Sequence, residues 1–464
     1  LKKSAGHDEE RLLFTLALAS GRERVVLTRQ RSGEEGKPLV RSWYVHELAR
    51  ALGHREGELP GALHVPRSLA ERFRGGITSE AFWTPSEWTA RLLLQDRNPE
   101  ALHAVRGLAP GVLAGCFEAG VQLKGLRGEL TGRDGMTGGL PDLWKEFRKR
   151  GWSPTALEEY ARCPFRFFAD RVLGLEELEG LEEVAETEAR DTGSLLHAIL
   201  QRFFSRWSEG ASADASRLLS EVVDSALDAF QEENPVGYPL LWERTREEIR
   251  SLAEGYVEGE LRSLEESGYR PVAFEEDAEA ALPDVPGAPS ILRGMKIRGR
   301  LDRIDRREDG GEARLRVVDY KYRSGTTPPS PNLAQSALRA RTLQPAFYVL
   351  LAEARERGAK AGAELHYLAP RWPEGDDRRR AFPPEAWETA WAAEMLDTVE
   401  RLLKGIRAGS FYIIPDGDEF GYCAHCPYRP LCRKNHRPTR YRQKADPRTH
   451  AVEKLREKKW SPKS

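Results

Sequence analysis

The run Arg316-Val317-Val318-Asp319-Tyr320-Lys321 sets a carboxylate and an amine two positions apart in a β-rich stretch. Residues two apart on a strand point the same way. Asp319 and Lys321 therefore share one face, with Leu315 and Val317 behind them on it. A carboxylate beside an ammonium can hold a divalent cation while the amine orients a water or a scissile phosphate. Phosphodiester hydrolysis is well served by this pairing, because the metal neutralises developing charge and acidifies its bound water. A second hard oxygen ligand is needed, and Asp302 ends the preceding alternating segment. Mg²⁺ takes one or two carboxylates and keeps several waters. Taken alone, Asp-x-Lys on a strand is more often a surface ion pair, and Asp302 serves equally well as a turn former. A second chemistry is written near the C-terminus, where Cys423, Cys426 and Cys432 form C-x₂-C-x₅-C. A C-x₂-C loop lets two sulfurs face one soft metal centre, and a zinc or iron–sulfur site wants a fourth thiolate. Composition does not separate the two metals. Cys163 lies far upstream, in Tyr160-Ala161-Arg162-Cys163-Pro164-Phe165.

The elements that must position these groups follow from periodicity. Ser153-Pro154-Thr155 reads as a helix start with proline just inside it. From Gly193, the residues Leu196, Ile199, Leu200, Phe203, Phe204 and Trp207 form an apolar stripe at helical spacing. From Met295 the pattern becomes alternation, Ile297, Gly299 and Leu301 against Arg298, Arg300 and Asp302. A turn at Asp309-Gly310-Gly311 leads into the strand through Leu315 to Lys321. A helix over about Leu343 to Glu356, an apolar segment Leu365 to Leu368, a charged loop over 370–380 and a long helix carrying Trp387 to Ile406 complete the series. The sequence of elements predicts an α/β chain with a small mixed central sheet flanked by helices. Upstream, residues 9–28 read as a helix entering a short buried strand, and 42–150 as mostly helical with a break at Leu59-Pro60-Gly61. The Gly-rich run Gly132 to Gly139 marks a boundary.

The chain has 464 residues, enough for two or three domains. Its 72 Lys+Arg against 73 Asp+Glu exclude a globally basic nucleic-acid coat. Positive charge is concentrated after Arg429, either as a solvated end or as a phosphate-facing arm. Mean hydropathy is −0.59 and no apolar run reaches the roughly 18 residues of a membrane span, so no membrane partner is expected. No secretory signal is visible, and four of the five cysteines have metal-site character, which favours a reducing, cytoplasmic setting. The chain begins with Leu, which fits a fragment of a longer protein.

Gly299-Arg300-Leu301-Asp302-Arg303-Ile304-Asp305 followed by Val318-Asp319-Tyr320-Lys321 resembles the RecB-like branch of the PD-(D/E)xK nuclease superfamily. Gly193-Ser194-Leu195-Leu196-His197 resembles that branch's upstream helix, and Gln344 and Tyr348 match its Gln-x-x-x-Tyr. The resemblance implies a restriction-endonuclease-like core over 151–435. In it His197, Asp302 and Asp319 bind Mg²⁺ or Mn²⁺, Lys321 is catalytic, and Gln344 and Tyr348 orient the lysine or the substrate strand. Tyr-x-x-Cys-Pro-Phe with three trailing cysteines is similar to AddB-type nucleases. It implies a 4Fe-4S cluster on Cys163, Cys423, Cys426 and Cys432 that staples the two ends of the domain, with His425 not a ligand. Cys116, outside any such motif, reads as a small buried residue. Glu10 to Leu18 followed by Arg22-Glu23-Arg24 resembles a decayed helicase motif VI with Ala19-Ser20 in place of Thr-Arg. With no G-x-x-x-x-G-K-[ST] either, no ATP site is expected. The resemblance thus implies a degenerate helicase-like region over 1–150, the nuclease over 151–435 and a basic tail over 436–464. Its expected substrate is the single-stranded end of a processed duplex, fed by an AddA-like helicase–nuclease subunit in a nucleoid-associated repair complex. The rival readings are a free-standing RecB-like nuclease and a non-catalytic iron–sulfur DNA-binding scaffold.

Overall fold

The computed structural model describes residues 2–30, 38–40, 42–54, 103, 111, 128–176, 189–210, 214–283, 290–325, 328–373, 377–415 and 422–459. The chain divides into two units, Leu1–Gly120 and Val121–Ser464. In the first, α1 (Lys2–Ala19) and α2 (Trp43–Ala51) meet through Phe14 stacked on Tyr44 at 5.5 Å, and Tyr44 donates to Glu10 at 2.8 Å. The buried strand expected after α1 is not found. Residues 24–28 form no strand, and Val25, Val26 and Leu27 are exposed. A short apolar run makes a strand only where a neighbour takes up its backbone groups, and the described residues give it none. Most of the helical stretch expected over 42–150, its break at Leu59-Pro60-Gly61, and Cys116 lie outside the described residues.

The second unit opens with α3 (Pro141–Arg150) and α4 (Pro154–Arg162). Ser153 caps α4 by accepting the Ala156 N–H, with Pro154 in the first turn as its fixed φ favours. Three long helices follow: α5 (Ala189–Ser208), α6 (Ala215–Glu233) and α7 (Pro239–Ser267). The sheet comprises β1 (Arg270–Ala281), β2 (Lys296–Asp309), β3 (Glu312–Tyr322), β4 (Lys360–Leu368) and β5 (Arg379–Phe382), in the order β1-β2-β3-β4-β5. All neighbours are antiparallel except β3 and β4, whose parallel pairing uses α8 (Gln344–Arg355) as its crossover. The β2–β3 hairpin closes through Gly310 and Gly311, both at positive φ as a two-residue primed turn requires. The expected small mixed sheet flanked by helices is thus the fold observed.

Period-2 alternation in β3 sorts its side chains between two cores. Val318 and Tyr320 pack with the α5 stripe, α6 and α7, while Leu315 and Val317 pack with α4, α8 and α9 (Ala390–Arg407). Helix α9 starts later than its apolar pattern suggests. Trp387 lies in a preceding short turn, and Thr389 caps the helix by accepting from Trp391 N. The basic C-terminal stretch is folded where described, as α10 (Arg437–Ala445) and α11 (Pro447–Glu457). Val452 and Leu455 join the core, and Arg442 is buried against Asp134 at 2.6 Å. The Gly132–Gly139 run lies inside this unit, where Gly135 O accepts from Phe411 N at 2.7 Å.

Candidate active site

Strands β2 and β3 pair from Asp309↔Glu312 as far as Arg303↔Val318, and then part. Beyond that point β2 stays paired with β1 and, further on, bridges the Trp152 backbone through Lys296 O and Arg298 N, while β3 stays paired with β4. Asp302 and Asp319 are the first residues past the fork. The Tyr320 N–H, freed from the hairpin ladder, donates to Asp302 Oδ2 at 2.9 Å, which anchors one acidic strand to the other.

His197 reaches the same point from α5. Its Nε2 lies 2.8 Å from the Tyr320 carbonyl and its Nδ1 lies 3.3 Å from Asp302 Oδ2. A carbonyl only accepts, so Nε2 carries the proton and Nδ1 turns a lone pair toward a carboxylate oxygen. Burial, with Lys321 adding to it, lowers the imidazole's pKa and favours this neutral form. Two lone pairs facing each other need a proton or a cation between them. Without a metal, Asp302 supplies the proton. Burial, then the charge of Asp319, push its pKa up to about 8. Glu275 of β1 completes the group: one atom from each of His197, Glu275 and Asp302 lies within 4.8 Å of the others. These donors, two carboxylate oxygens and an imidazole, fit a divalent cation, with Glu275 also paired to Arg300 Nε at 2.9 Å.

Asp319 is held from the α8 side. Tyr348 donates to its Oδ1 at 3.2 Å, and Gln344 Nε2 donates to the Tyr348 hydroxyl at 3.2 Å. Lys321 Nζ lies 2.6 Å from Asp319 Oδ2. Burial works against the lysine's charge, but the carboxyl groups around it, Asp319 first and then Asp302 and Glu158, together outweigh burial, and the pKa rises above its ordinary value. Lys321 is therefore a cation near neutral pH, suited to orienting a nucleophile and stabilising negative charge rather than taking a proton. Gly299 makes room for this side of the site. A Cβ there would stand 3.0 Å from Leu351 Cδ1 and 3.3 Å from Tyr348 Cε1.

The remaining residues of the β2 motif are structural. Arg303 and Arg316 share Asp305 and Glu260 in a buried network beneath β3, with Arg316 Nη2 2.7 Å from Asp305 Oδ2. Arg303 Nη1 also donates to the Tyr320 hydroxyl at 3.0 Å. This network fixes the residue whose backbone serves both His197 and Asp302.

Cys163, Cys423, Cys426 and Cys432 are half-buried, and none forms a disulfide. Cys163 ends α4, and the ends of the unit meet beside it: Tyr422 donates to Arg162 O at 3.0 Å, and Tyr428 to Asp170 Oδ1 at 3.2 Å. Burial raises the Cys163 and Cys432 thiols above their ordinary pKa, and Cys426 acts on both in the same direction. Thiols drawn from both ends and close enough to influence one another fit a soft metal centre.

With this geometry in place, the comparisons decide the family. The PD-(D/E)XK nuclease superfamily matches residues 151–433. The chain belongs to that superfamily. Its nuclease domain is metal-dependent, as the family's chemistry requires. Curated relatives are named as subunits of an ATP-dependent helicase/deoxyribonuclease. The one from Desulforudis audaxviator is 34% identical over 36% of this chain and 15% of its own length. The one from Moorella thermoacetica is 27% identical over 67% of this chain and 27% of its own, and that from Geobacillus thermodenitrificans 26% identical over 38% and 15%. The chain thus spans about a quarter or less of these relatives. Among the described residues of this superfamily member, no helix is long and apolar enough to cross a membrane.

The fold brings together His197, Asp302, Asp319, Lys321, Gln344 and Tyr348, all named from sequence. It adds two residues that sequence reasoning missed. Glu275 lies in the acidic run Glu275-Glu276-Asp277, where no spacing singles it out, and it stands at φ 48°, a conformation rare without glycine. Glu158 lies on α4, where its neighbours read as ordinary helix.

Proposed function

We propose that this chain hydrolyses DNA phosphodiester bonds with Mg²⁺, or Mn²⁺, acting on the single-stranded end of a processed duplex. The observation that carries the reading is the opposition of His197 Nδ1 and Asp302 Oδ2 at 3.3 Å, beside the Asp319–Lys321 pair at 2.6 Å. His197, Asp302 and Asp319, with Glu275, would hold the metal, which on binding would polarise the phosphate and acidify a water. Lys321 would orient that water and stabilise charge on the phosphoryl oxygens. Tyr348 and Gln344 keep the Asp319 carboxylate turned toward the fork. Cys163, Cys423, Cys426 and Cys432 would carry a 4Fe-4S cluster that closes the domain.

The relatives' names support a place in an ATP-dependent helicase/deoxyribonuclease. With the resemblance above, the proposed role is repair and recombination of broken DNA, with an AddA-like subunit as partner, in the nucleoid-associated cytoplasm. In this reading residues 1–150 are a degenerate helicase-like region, 151–435 the nuclease and 436–464 a basic tail. The test is cleavage of end-labelled single-stranded DNA. Mg²⁺ should support cutting, EDTA should abolish it, and Asp319→Ala should remove it while sparing DNA binding. Cleavage that survives Asp319→Ala would overturn the assignment. Iron and sulfide at cubane stoichiometry in anaerobically purified protein support the cluster, and zinc alone refutes it.

A further inference from the structure

Helix α8 begins without a cap of its own. Its N-cap residue is Leu343, which has no polar side chain, and the first turn contains Pro345. The orphan N–H groups of a helix start need an acceptor. Here it comes from another helix: Glu158 Oε1, in the middle of α4, accepts the N–H of Leu343 and, at 3.2 Å, that of Gln344. The turn so capped carries the donors that hold Asp319, since Gln344 Nε2 bonds the Tyr348 hydroxyl and Tyr348 bonds the carboxylate. Glu158 also acts electrostatically on Lys321, on the far side of the same aspartate. Burial brings its carboxyl up to about 7 despite these donors. The nearby α4 residues Leu157, Tyr160 and Ala161 are buried, so a carboxylate here has a marked desolvation cost.

We propose that Glu158 is a positioning residue of the nuclease site. It sets the first turn of α8, and through Gln344 and Tyr348 it fixes the direction of the Asp319 carboxylate. It acts through these residues and does not touch the substrate. The proposal rests on the nuclease reading above and adds to the site a carboxylate from the helix that ends at Cys163.

The test uses the full chain with Glu158→Ala and Glu158→Gln. Two readouts are followed: steady-state cleavage of a single-stranded oligonucleotide with Mg²⁺, and amide hydrogen exchange over residues 343–351. In Glu158→Ala, exchange of the 343–348 amides should speed up about tenfold or more as the first turn opens. Its kcat should fall about tenfold or more, as small misplacements of catalytic groups do, with KM near that of the wild type. Glu158→Gln keeps an acceptor oxygen, so it should restore both exchange protection and most of kcat. Wild-type exchange in Glu158→Ala overturns the capping role, and wild-type kcat in it overturns the positioning role. If Glu158→Ala does not fold, Glu158→Gln decides: near-wild-type kcat supports the proposal, and loss as deep as that of Asp319→Ala refutes it. A wild type that does not cut DNA removes the nuclease reading instead, and the exchange result then judges the cap alone.

Discussion

Asp302 makes the metal-free site unstable in a way that pH exposes. Its folded pKa, about 8, lies above the ordinary carboxylate value near 3.8. A raised acid keeps a proton in the folded state that the unfolded chain gives up, so stability is lost as pH climbs from about 4 toward 8. Each pH unit in that window costs up to about 1.4 kcal/mol, or about 4 kcal/mol between pH 5 and 8. Relaxation and water penetration around the buried carboxyl reduce this to about 2 kcal/mol. Asp302→Asn keeps an acceptor for the Tyr320 N–H and removes the titration. In metal-free protein at pH 8 it should melt about 5 °C above the wild type, at roughly 2–3 °C per kcal/mol for a large domain. At pH 5 the gap should shrink to a small fraction of that. Mg²⁺ should raise the wild-type melting temperature at pH 8 and leave Asp302→Asn unmoved. Differential scanning calorimetry at the two pH values, with and without Mg²⁺, measures all four numbers. A variant that melts below the wild type equally at both pH values would refute the reasoning, because Asp302 would then be structural rather than a suppressed metal ligand.

Other consequences are equally specific. Lys321→Gln should lower kcat by about 10²–10³, the size of one lost charge-stabilising group, while DNA affinity at fixed salt stays within about threefold; an equal loss in affinity would make Lys321 a binding residue. Asp305→Ala leaves Arg303 and Arg316 buried beside an incomplete partner set, and denaturant titration should show a loss of about 3–5 kcal/mol. Gly299→Ala forces its Cβ against Leu351 and Tyr348 and should cut kcat with little change in the far-ultraviolet circular dichroism. Cys426→Ser should loosen the union of the 163 and 423–432 segments, seen as faster limited proteolysis in both regions at once.

The catalytic side of β3 was legible because strand alternation is strict: Asp319 and Lys321 fall on the Leu315–Val317 face whatever the tertiary context. His197 was legible only through resemblance, since nothing in its helical stripe says that α5 would bring it to the Tyr320 carbonyl. Strand β1 escaped notice because Arg270–Ala281 is rich in Glu and Ala, residues that favour helix over strand, and Glu275 was lost with it. Glu158 was invisible for a different reason. Its partners are backbone N–H groups 185 and 186 residues away, and backbone donors leave no mark in side-chain spacing. The strand expected over residues 24–28 shows the opposite error, a short apolar run with no neighbour among the described residues to pair.

The central claim is that the fork between β2 and β3 binds a divalent ion, and anomalous diffraction from crystals soaked in Mn²⁺ tests it most directly. A peak at about 2.1–2.3 Å from His197 Nδ1 and a carboxylate oxygen of Asp302, with Asp319 or Glu275 completing the set, is the predicted result. An empty fork in crystals whose Mn²⁺ is bound elsewhere would contradict it.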